Sequence, residues 1–188
     1  MPRWSPDAAL RLEDAAVSLF ETAGFANTTV PQIATAAGLT TRTFFRHFSD
    51  KRDVLFLRDR EFPEAIRDFL GSLPPGTGPV ETVRSGLTVA CREIEQWRSQ
   101  IARRQAIISK DPLLQERDLL RARHLAAAIE ASLVDRQVDA TEARTLSAVA
   151  VTCFELAVQR WLDGPADSTL EGILSTVWGD VHRVMREQ

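Results

Sequence analysis

The sequence predicts an all-α protein of about nine helices. Apolar residues recur every three or four positions along most of the chain, as in amphipathic helices, and no long stretch alternates between apolar and polar residues as strands do. Capping residues and proline- or glycine-containing breaks separate these segments, and the clearest break is LPPGTGP at 73–79. The composition, 44% hydrophobic and 26% charged, is that of an ordinary globular chain.

The first helix is predicted to begin at Ser5 and Pro6, a capping residue followed by a proline suited to a first helical turn, and to end at Gly24. Its inward face consists of apolar residues at helical spacing: Leu12, Ala15, Ala16, Leu19 and Phe20.

A second and a third short helix are predicted on either side of Gly38. Thr29 caps the second helix, and Gln32 three residues later completes a capping box. Gly38 adopts a positive φ at little steric cost, so the chain can turn sharply before Thr40 caps the third helix. Two short helices joined by such a turn are typical of a helix-turn-helix motif.

The third helix has an apolar face and a cationic face. Phe44 and Phe48 lie four residues apart and share one side, while Arg42 and Arg46 point roughly the opposite way. Polar and apolar side chains flank the cationic ridge: Thr41, Phe45, Thr43 and His47. Such a mixture suits the base edges and phosphates of duplex DNA. The alternative is an ordinary amphipathic helix with a solvated charged face.

A fourth helix is predicted to begin with Ser49 as its cap and Asp50 in its first turn, and to be kinked or interrupted at Pro63. Later helices are predicted at about 79–95, 99–109, 112–136 and 140–164. Ser168 and Glu171 form a second capping box, which opens the ninth helix.

Together with its flanks, the helix-turn-helix region resembles the TetR family of bacterial one-component transcription regulators. The resemblance is carried by AAVSLFETAGFANTTV at 15–30 and by FRHFSDKRDVL at 45–55. It implies a three-helix DNA-binding domain at 1–50, followed by an all-helical effector-binding and dimerisation domain at 51–188. The fourth helix would then pass a ligand signal between them.

The resemblance also implies roles for individual residues. It places phosphate contacts at Thr29, Thr43, His47 and Lys51, and base contacts at Thr41, Arg42 and Phe45. Arg46, on the exposed ridge, completes the predicted DNA-binding set. Two positions depart from the family pattern, because Arg42 replaces a small residue or proline and Phe45 replaces a common tyrosine. One phosphate contact through a hydroxyl is therefore expected to be missing.

The charge distribution favours a local DNA-binding surface over a generally basic protein. The whole chain has a formal net charge of −3. Residues 40–60 contain six cations and three anions, a net of +3, whereas residues 61–188 contain fifteen cations and nineteen anions, a net of −4. Phosphate binding needs only a few well-placed cations and weakens steeply with salt.

The last two helices carry long apolar stripes, which we interpret as a homodimer interface. The family resemblance places a four-helix interface here, and paired helix-turn-helix domains bind inverted repeats. The alternative is that these residues cover the core of their own chain. The predicted interface residues are Leu146, Ala150, Phe154, Ala157, Trp161, Ile173, Val177, Trp178 and Val181.

A small-molecule effector among helices four to seven is a further implication of the resemblance, and an apolar or acyl-type molecule fits the composition of this region. For each candidate residue the alternative is an ordinary place in the core. The candidates are Phe69, Cys91, Ile94, Trp97, Ile101, Arg104, Gln105, Ile108, His124 and Ala128.

Motifs for other functions are missing from the sequence. It contains no HExxH, no CxxC and no glycine-rich phosphate loop, so we expect no catalytic residue, no metal and no cofactor. Cys91 and Cys153 are expected to be buried thiols. Without a long apolar run or a secretory leader, we expect no membrane span and a cytoplasmic location. A DNA-architectural or adaptor protein without an effector, and a helical enzyme, are the alternative functions.

Overall fold

In a computed structural model, which describes residues 6–60 and 62–186, the chain folds into nine α-helices with no β-strand in these ranges. The predicted all-α fold is therefore confirmed. Two short 3-10 helices, Arg52–Phe56 and Arg58–Arg60, follow the third α-helix. The α-helices are α1 Pro6–Ala23, α2 Val30–Ala36, α3 Thr41–His47, α4 Phe62–Ser72, α5 Pro79–Glu95, α6 Arg98–Ile108, α7 Pro112–Asp135, α8 Ala140–Asp163 and α9 Leu170–Arg186.

Local sequence signals explain most of these boundaries. Asp139 caps α8, because its carboxylate accepts the backbone N–H groups of Thr141 at 2.9 Å and Glu142 at 3.1 Å. Prolines stand in the first turn of α2 and α5, where a missing N–H costs nothing. Pro63 likewise lies in the first turn of α4, so it begins that helix after the 3-10 turns.

The cap predicted for the fourth helix, Ser49, was wrong. Ser49 donates its backbone N–H to the Asp53 carboxylate at 3.2 Å and caps nothing. Asp50 is the capping residue, since its carboxylate accepts the N–H groups of Arg52 at 2.7 Å and Asp53 at 3.1 Å. The helix that follows is a 3-10 helix, separate from α4. Ser5, predicted to cap α1, lies outside the described residues.

The capping box predicted at Ser168 and Glu171 was also wrong. The indole N–H of Trp161 donates to the Ser168 carbonyl at 3.1 Å, which keeps Ser168 in the preceding turn. The Thr169 hydroxyl accepts the Gly172 N–H at 3.3 Å instead, one residue later than predicted. Glu171 forms an ion pair with Arg92 at 2.8 Å rather than a cap.

The chain divides into two compact units. The first comprises Met1–Arg60 with Ser99–Leu120, and the second Glu61–Arg98 with Arg121–Gln188. Helix α6 and the start of α7 are thus packed with the helix-turn-helix region. The functional boundary between residues 50 and 51 stays a prediction.

The core of the first unit is built around phenylalanines. Phe20 and Phe25 meet edge to face with ring centroids 5.2 Å apart, and Phe44 and Phe48 lie 5.2 Å apart at a tilt. This buried cluster also includes apolar residues from α1, α2, the first 3-10 helix, α6 and α7: Leu12, Ala16, Ile33, Ala37, Val54, Leu55, Phe56, Ile107, Ile108 and Leu114.

In the second unit α8 packs along α9, and Trp161 is almost fully buried at 1% exposure. Arg98 donates to the carbonyls of Gly164 and Pro165 at the end of α8, and its guanidinium lies 5.1 Å from the Trp161 ring centroid. Arginines can satisfy the last carbonyls of a helix in this way. No helix in the described ranges has the length and apolarity needed to span a membrane.

Candidate nucleic-acid interface

The turn between α2 and α3 has the geometry that the sequence predicts. Thr29 and Gln32 form a complete capping box, and the Thr40 hydroxyl accepts the Thr43 N–H at 3.1 Å. Gly38 has a φ of +66°, and a Cβ at this position would lie 2.9 Å from the Arg11 guanidinium. A residue other than glycine would therefore be strained in its backbone and crowded by Arg11.

Arg11 is a contributor to this turn that the sequence did not reveal. Its guanidinium, carried by α1, donates to the carbonyl of Ala37, the C-cap of α2. The end of a helix leaves carbonyls without intrahelical partners, so this contact closes α2 before the turn. The contact spans 26 residues of sequence, and no local pattern announces it.

Helix α3 separates a buried face from an exposed face. Phe44 and Phe48 are 0% and 2% exposed, so they fix the helix on the core of the first unit. Arg42 and Arg46 are exposed, and Phe45 is 56% exposed. These three residues and Thr43 line an open depression on the surface. The face therefore combines two cations, a hydroxyl and an aromatic ring.

The predicted threonine contacts differ in how far their hydroxyls are already engaged. The Thr29 hydroxyl hydrogen-bonds with Gln32 Oε1 at 2.9 Å, and the Thr43 hydroxyl with that of Thr40 at 3.0 Å. Thr41, the first residue of α3, is half-buried. A phosphate oxygen only accepts, and a hydroxyl has one O–H to donate. The Thr43 O–H is available when Thr40 is the donor of their bond, whereas Thr29 reaches a phosphate only by giving up its bond to Gln32.

His47 ends α3 and is half-buried. Burial lowers the pKa of His47, and the neighbouring positive charges of Arg46 and Arg60 lower it further. This shift favours the neutral imidazole, which can donate its one N–H to a phosphate without adding a positive charge.

Lys51 is directed toward the protein itself. Its ammonium group donates to the carbonyls of Phe25 at 2.6 Å and Thr28 at 2.8 Å, and it lies 4.0 Å from the Phe25 ring centroid. Burial lowers the pKa of Lys51, and the charge of Asp111 opposes this effect. Because an ammonium group has three N–H donors, one remains for a phosphate.

The cationic surface is narrower than the charge count of residues 40–60 suggests. Arg52 pairs with Asp50 at 2.7 Å, and Arg58 lies 3.4 Å from the Glu13 carboxylate. Arg60 and Lys51 donate to backbone carbonyls. Within the described ranges, Arg42 and Arg46 are the cations of this segment with no bonded partner. They are therefore the best placed to bind an external anion.

The predicted effector residues are divided between the two units. Ile108 is 3% exposed in the core of the first unit, and Arg104 there pairs with Asp59 at 2.7 Å and Asp118 at 3.5 Å. Ile101 and Gln105 are half-buried in the same unit. These contacts describe a structural role for Ile108 and Arg104, and a ligand contact stays a prediction.

The remaining effector candidates belong to the second unit. Cys91 is fully buried, and burial raises the pKa of its thiol to about 12. Trp97 is 37% exposed and His124 is exposed on α7. Half-buried positions are occupied by Phe69, Ile94 and Ala128. The described residues contain no cluster of ligating side chains that could hold a metal ion.

The predicted dimer stripe needs a correction for four of its nine residues. Ala150, Ala157, Trp161 and Val177 are at most 1% exposed within a single chain, because α8 and α9 pack on one another. Side chains already covered by their own chain have almost no surface left for a second copy. Half-buried, and still available for an interface, are Leu146, Phe154, Ile173, Trp178 and Val181.

The two capped helices, the turn at Gly38 and the exposed cationic face of α3 together form a helix-turn-helix domain. Residues 12–56 match the family model for bacterial regulatory proteins of the tetR family. The helix-turn-helix segment is thus similar to the DNA-binding segment of that family, and the resemblance recognised in the sequence is confirmed over these residues.

A curated relative agrees with this assignment. The chain is 38% identical over 68 residues to the HTH-type transcriptional regulator TcmR of Streptomyces glaucescens. The match covers 36% of this chain and only 30% of the length of TcmR.

Solved structures share the fold over nearly the whole chain. FadR of Thermus thermophilus, a TetR family transcriptional repressor solved with lauroyl-CoA, has a TM-score of 0.55 at 21% identity, covering 90% of this chain and 91% of its own. NalD of Pseudomonas aeruginosa, the secondary repressor of the MexAB-OprM multidrug efflux pump, has a TM-score of 0.59 at 19% identity, covering 94% of both chains. At these identities the likeness establishes the fold alone.

Proposed function

We propose that this chain is a ligand-responsive transcription regulator that binds duplex DNA through α2 and α3 and releases it when a small apolar effector binds. The exposed face of α3 carries this proposal. Arg42 and Arg46 project from a helix that two buried phenylalanines fix to the core. A rigid helix with outward guanidinium groups can enter the major groove and bond to guanine edges and phosphates. Since its target is chromosomal DNA, the protein acts in the cytoplasm.

The chemistry of each side chain on this face indicates whether it contacts a base or a phosphate. Arg42 is the main base-reading residue and Phe45 offers an apolar contact to a thymine methyl group. Thr29, Thr43, His47, Arg46 and Lys51 supply the phosphate contacts, and Thr41 stands beside the bases. Lys51 would reach a phosphate with the one N–H that its two carbonyl contacts leave over.

Homodimerisation is part of the proposal, because two copies would place two α3 helices in successive major grooves about 34–36 Å apart. Phe154 on α8 and Trp178 and Val181 on α9 remain partly exposed in one chain. Val184, one turn beyond Val181, is 69% exposed and extends the same face. Apolar surface of this kind is stabilised when a second copy covers it.

Dimerisation is tested by the mass of the protein in solution. We expect twice the chain mass of 20.9 kDa by light scattering, and a shift toward the single-chain mass for Val181→Asp. Val80→Asp is the matched control, since Val80 is 49% exposed on α5 of the same unit. A wild-type protein of 20.9 kDa at micromolar concentration would contradict the dimer.

The effector is proposed to be an apolar or acyl-type molecule. The half-buried apolar residues of the second unit, Phe69, Ile94 and Ala128, support this class, and the related fold of FadR holds lauroyl-CoA. A ligand that binds only the folded protein raises stability, by about 2.7 kcal/mol at one hundred times its dissociation constant. A thermal-shift panel of fatty acids and acyl-CoA esters of increasing chain length tests this class directly.

Footprinting of the purified protein on the promoters of its own and neighbouring genes tests the whole proposal. We expect a protected inverted repeat, and loss of protection with any compound that stabilises the protein in the thermal-shift panel. Protection that no stabilising compound removes would favour an architectural or adaptor protein without an effector. No protected site at low or moderate salt would contradict DNA-binding regulation.

A further inference from the structure

The carboxyl end of α3 is held by a side chain from outside the helix. Helix α3 spans only Thr41–His47, and the last carbonyls of a helix have no partner within it. The Phe48 N–H closes one of them by donating to the Phe44 carbonyl at 2.9 Å. The guanidinium of Arg60 donates through Nη1 to the His47 carbonyl at 2.8 Å and closes another.

The same guanidinium also contacts the ring that anchors α3. Its central carbon lies 5.0 Å from the ring centroid of Phe48, which is 2% exposed in the core of the first unit. Arg60 thus joins the final carbonyl of the helix to the aromatic side chain that fixes it. Both contacts favour the cation, because the carboxyl end of a helix and the face of an aromatic ring each carry partial negative charge.

Arg60 belongs to a different element from the helix that it holds. It lies thirteen residues after His47, in the 3-10 helix Arg58–Arg60. A contact of this kind fixes the direction of α3 relative to the core. A cap from within α3 would stabilise only the helical conformation of its last turn. A seven-residue helix has few contacts of its own, so one external attachment at its end has a large share in its orientation.

We infer that Arg60 is a positioning residue for DNA recognition. It keeps α3 in the orientation in which Arg42 and Arg46 face outward, and it acts through His47 and Phe48 without contacting DNA. This inference rests on the proposed function of α3 as the recognition helix.

A positioning role and a phosphate contact predict different binding data. Loss of a phosphate contact weakens binding to all duplexes alike and reduces the slope of log affinity against log salt by about 0.9. Loss of orientation mainly weakens binding to the operator, because base contacts need alignment that backbone contacts do not. The salt slope then stays unchanged.

The test compares Arg60→Gln with Arg60→Lys and with the control Arg58→Gln. The control removes the same charge from the same 3-10 helix, but the partner of Arg58 is Glu13 on α1. Hydrogen exchange of the full-length protein without DNA is followed in peptides covering residues 44–49. Affinity is measured for the footprinted operator and for a random duplex at several salt concentrations.

For Arg60→Gln we expect faster exchange at residues 44–49 and a fall of about fivefold in the ratio of operator to random affinity, with the salt slope unchanged. Arg60→Lys should restore part of this ratio, since an ammonium can still donate to the His47 carbonyl. Arg58→Gln should leave both measurements near the wild-type values.

Two results would overturn the inference. One is unchanged exchange together with an unchanged affinity ratio for Arg60→Gln. The other is an equal loss on both duplexes with a reduced salt slope, which would make Arg60 a phosphate ligand. If the wild-type protein itself shows no operator preference, the proposed function fails, and the exchange data still decide whether Arg60 holds α3.

Discussion

Replacing Lys51 by methionine separates a structural role from a DNA-binding role. Methionine keeps an unbranched apolar stem and removes only the ammonium group, which contacts the carbonyls of Phe25 and Thr28 at 2.6 and 2.8 Å. In the variant the Phe25 carbonyl keeps a second donor, the Thr28 N–H at 3.3 Å. The Thr28 carbonyl has no donor besides Lys51 among the described contacts. Thr28 is 2% exposed, so water replaces the lost donor poorly.

The expected loss of stability follows from these contacts. A hydrogen bond to a charged group contributes about 1.5–3 kcal/mol when buried, and a cation over an aromatic face about 0.5–1 kcal/mol when exposed. Because Lys51 is only half-buried, we expect a total near the lower limit, about 2 kcal/mol. For a chain of this size, that lowers Tm by about 4–8 °C.

The assay is thermal and urea unfolding of Lys51→Met beside Lys110→Met. Lys110 is the other lysine of the sequence and is exposed, so its variant should stay within about 0.5 kcal/mol of wild type. Lys51→Met should also bind every duplex more weakly, with a flatter salt dependence. Equal stability of the two variants would show that the carbonyl contacts of Lys51 contribute nothing.

Two further predictions follow from groups whose pKa is shifted. Burial lowers the pKa of His47, so the unfolded state takes up a proton first as the pH falls. The stability due to neutral His47 is complete above the ordinary value near 6.5 and is lost as the pH falls below it. Unfolding at pH 7.5 and 5.5 should therefore show a larger acid loss for wild type than for His47→Gln, and equal losses would refute this. Burial also raises the thiol pKa of Cys91 and Cys153. Ellman's reagent at pH 8 should modify neither thiol until the protein is unfolded in guanidinium, and rapid reaction of the native protein would contradict their burial.

Local signals in the sequence were sufficient for the helices and for the helix-turn-helix. The Thr29 capping box, the Thr40 cap and the backbone bonds that close the turn at Gly38 join residues at most five positions apart. Such contacts are decided by spacing, so a sequence pattern identifies them. The two wrong caps, at Ser49 and Ser168, differ from the observed ones by a single residue, which periodicity cannot resolve.

The sequence pattern did not predict the contacts between segments that are distant in sequence. Arg11 and Arg60 contact carbonyls 26 and 13 residues away, and Lys51 contacts two carbonyls that are 23 and 26 residues away. The charge count had assigned Lys51 and Arg60 to the DNA-binding surface, and Arg11 had no predicted role. The apolar stripes of α8 and α9 posed a similar problem. One stripe can cover its own core or a second chain, and burial in three dimensions is what identified Trp161 and Val177 as core.

The central claim is that the outward face of α3 reads DNA sequence. Its most direct test is the affinity of Arg42→Ala for the footprinted operator and for a random duplex, beside Arg84→Ala as a control. Arg84 is an exposed arginine on α5, so its variant loses the same charge far from α3 in sequence. If Arg42 makes a bidentate contact to guanine, operator binding should weaken by about 1–3 kcal/mol, with a much smaller change on random DNA. Equal losses on the two duplexes would contradict sequence reading by Arg42, and no loss on either would contradict the use of this face.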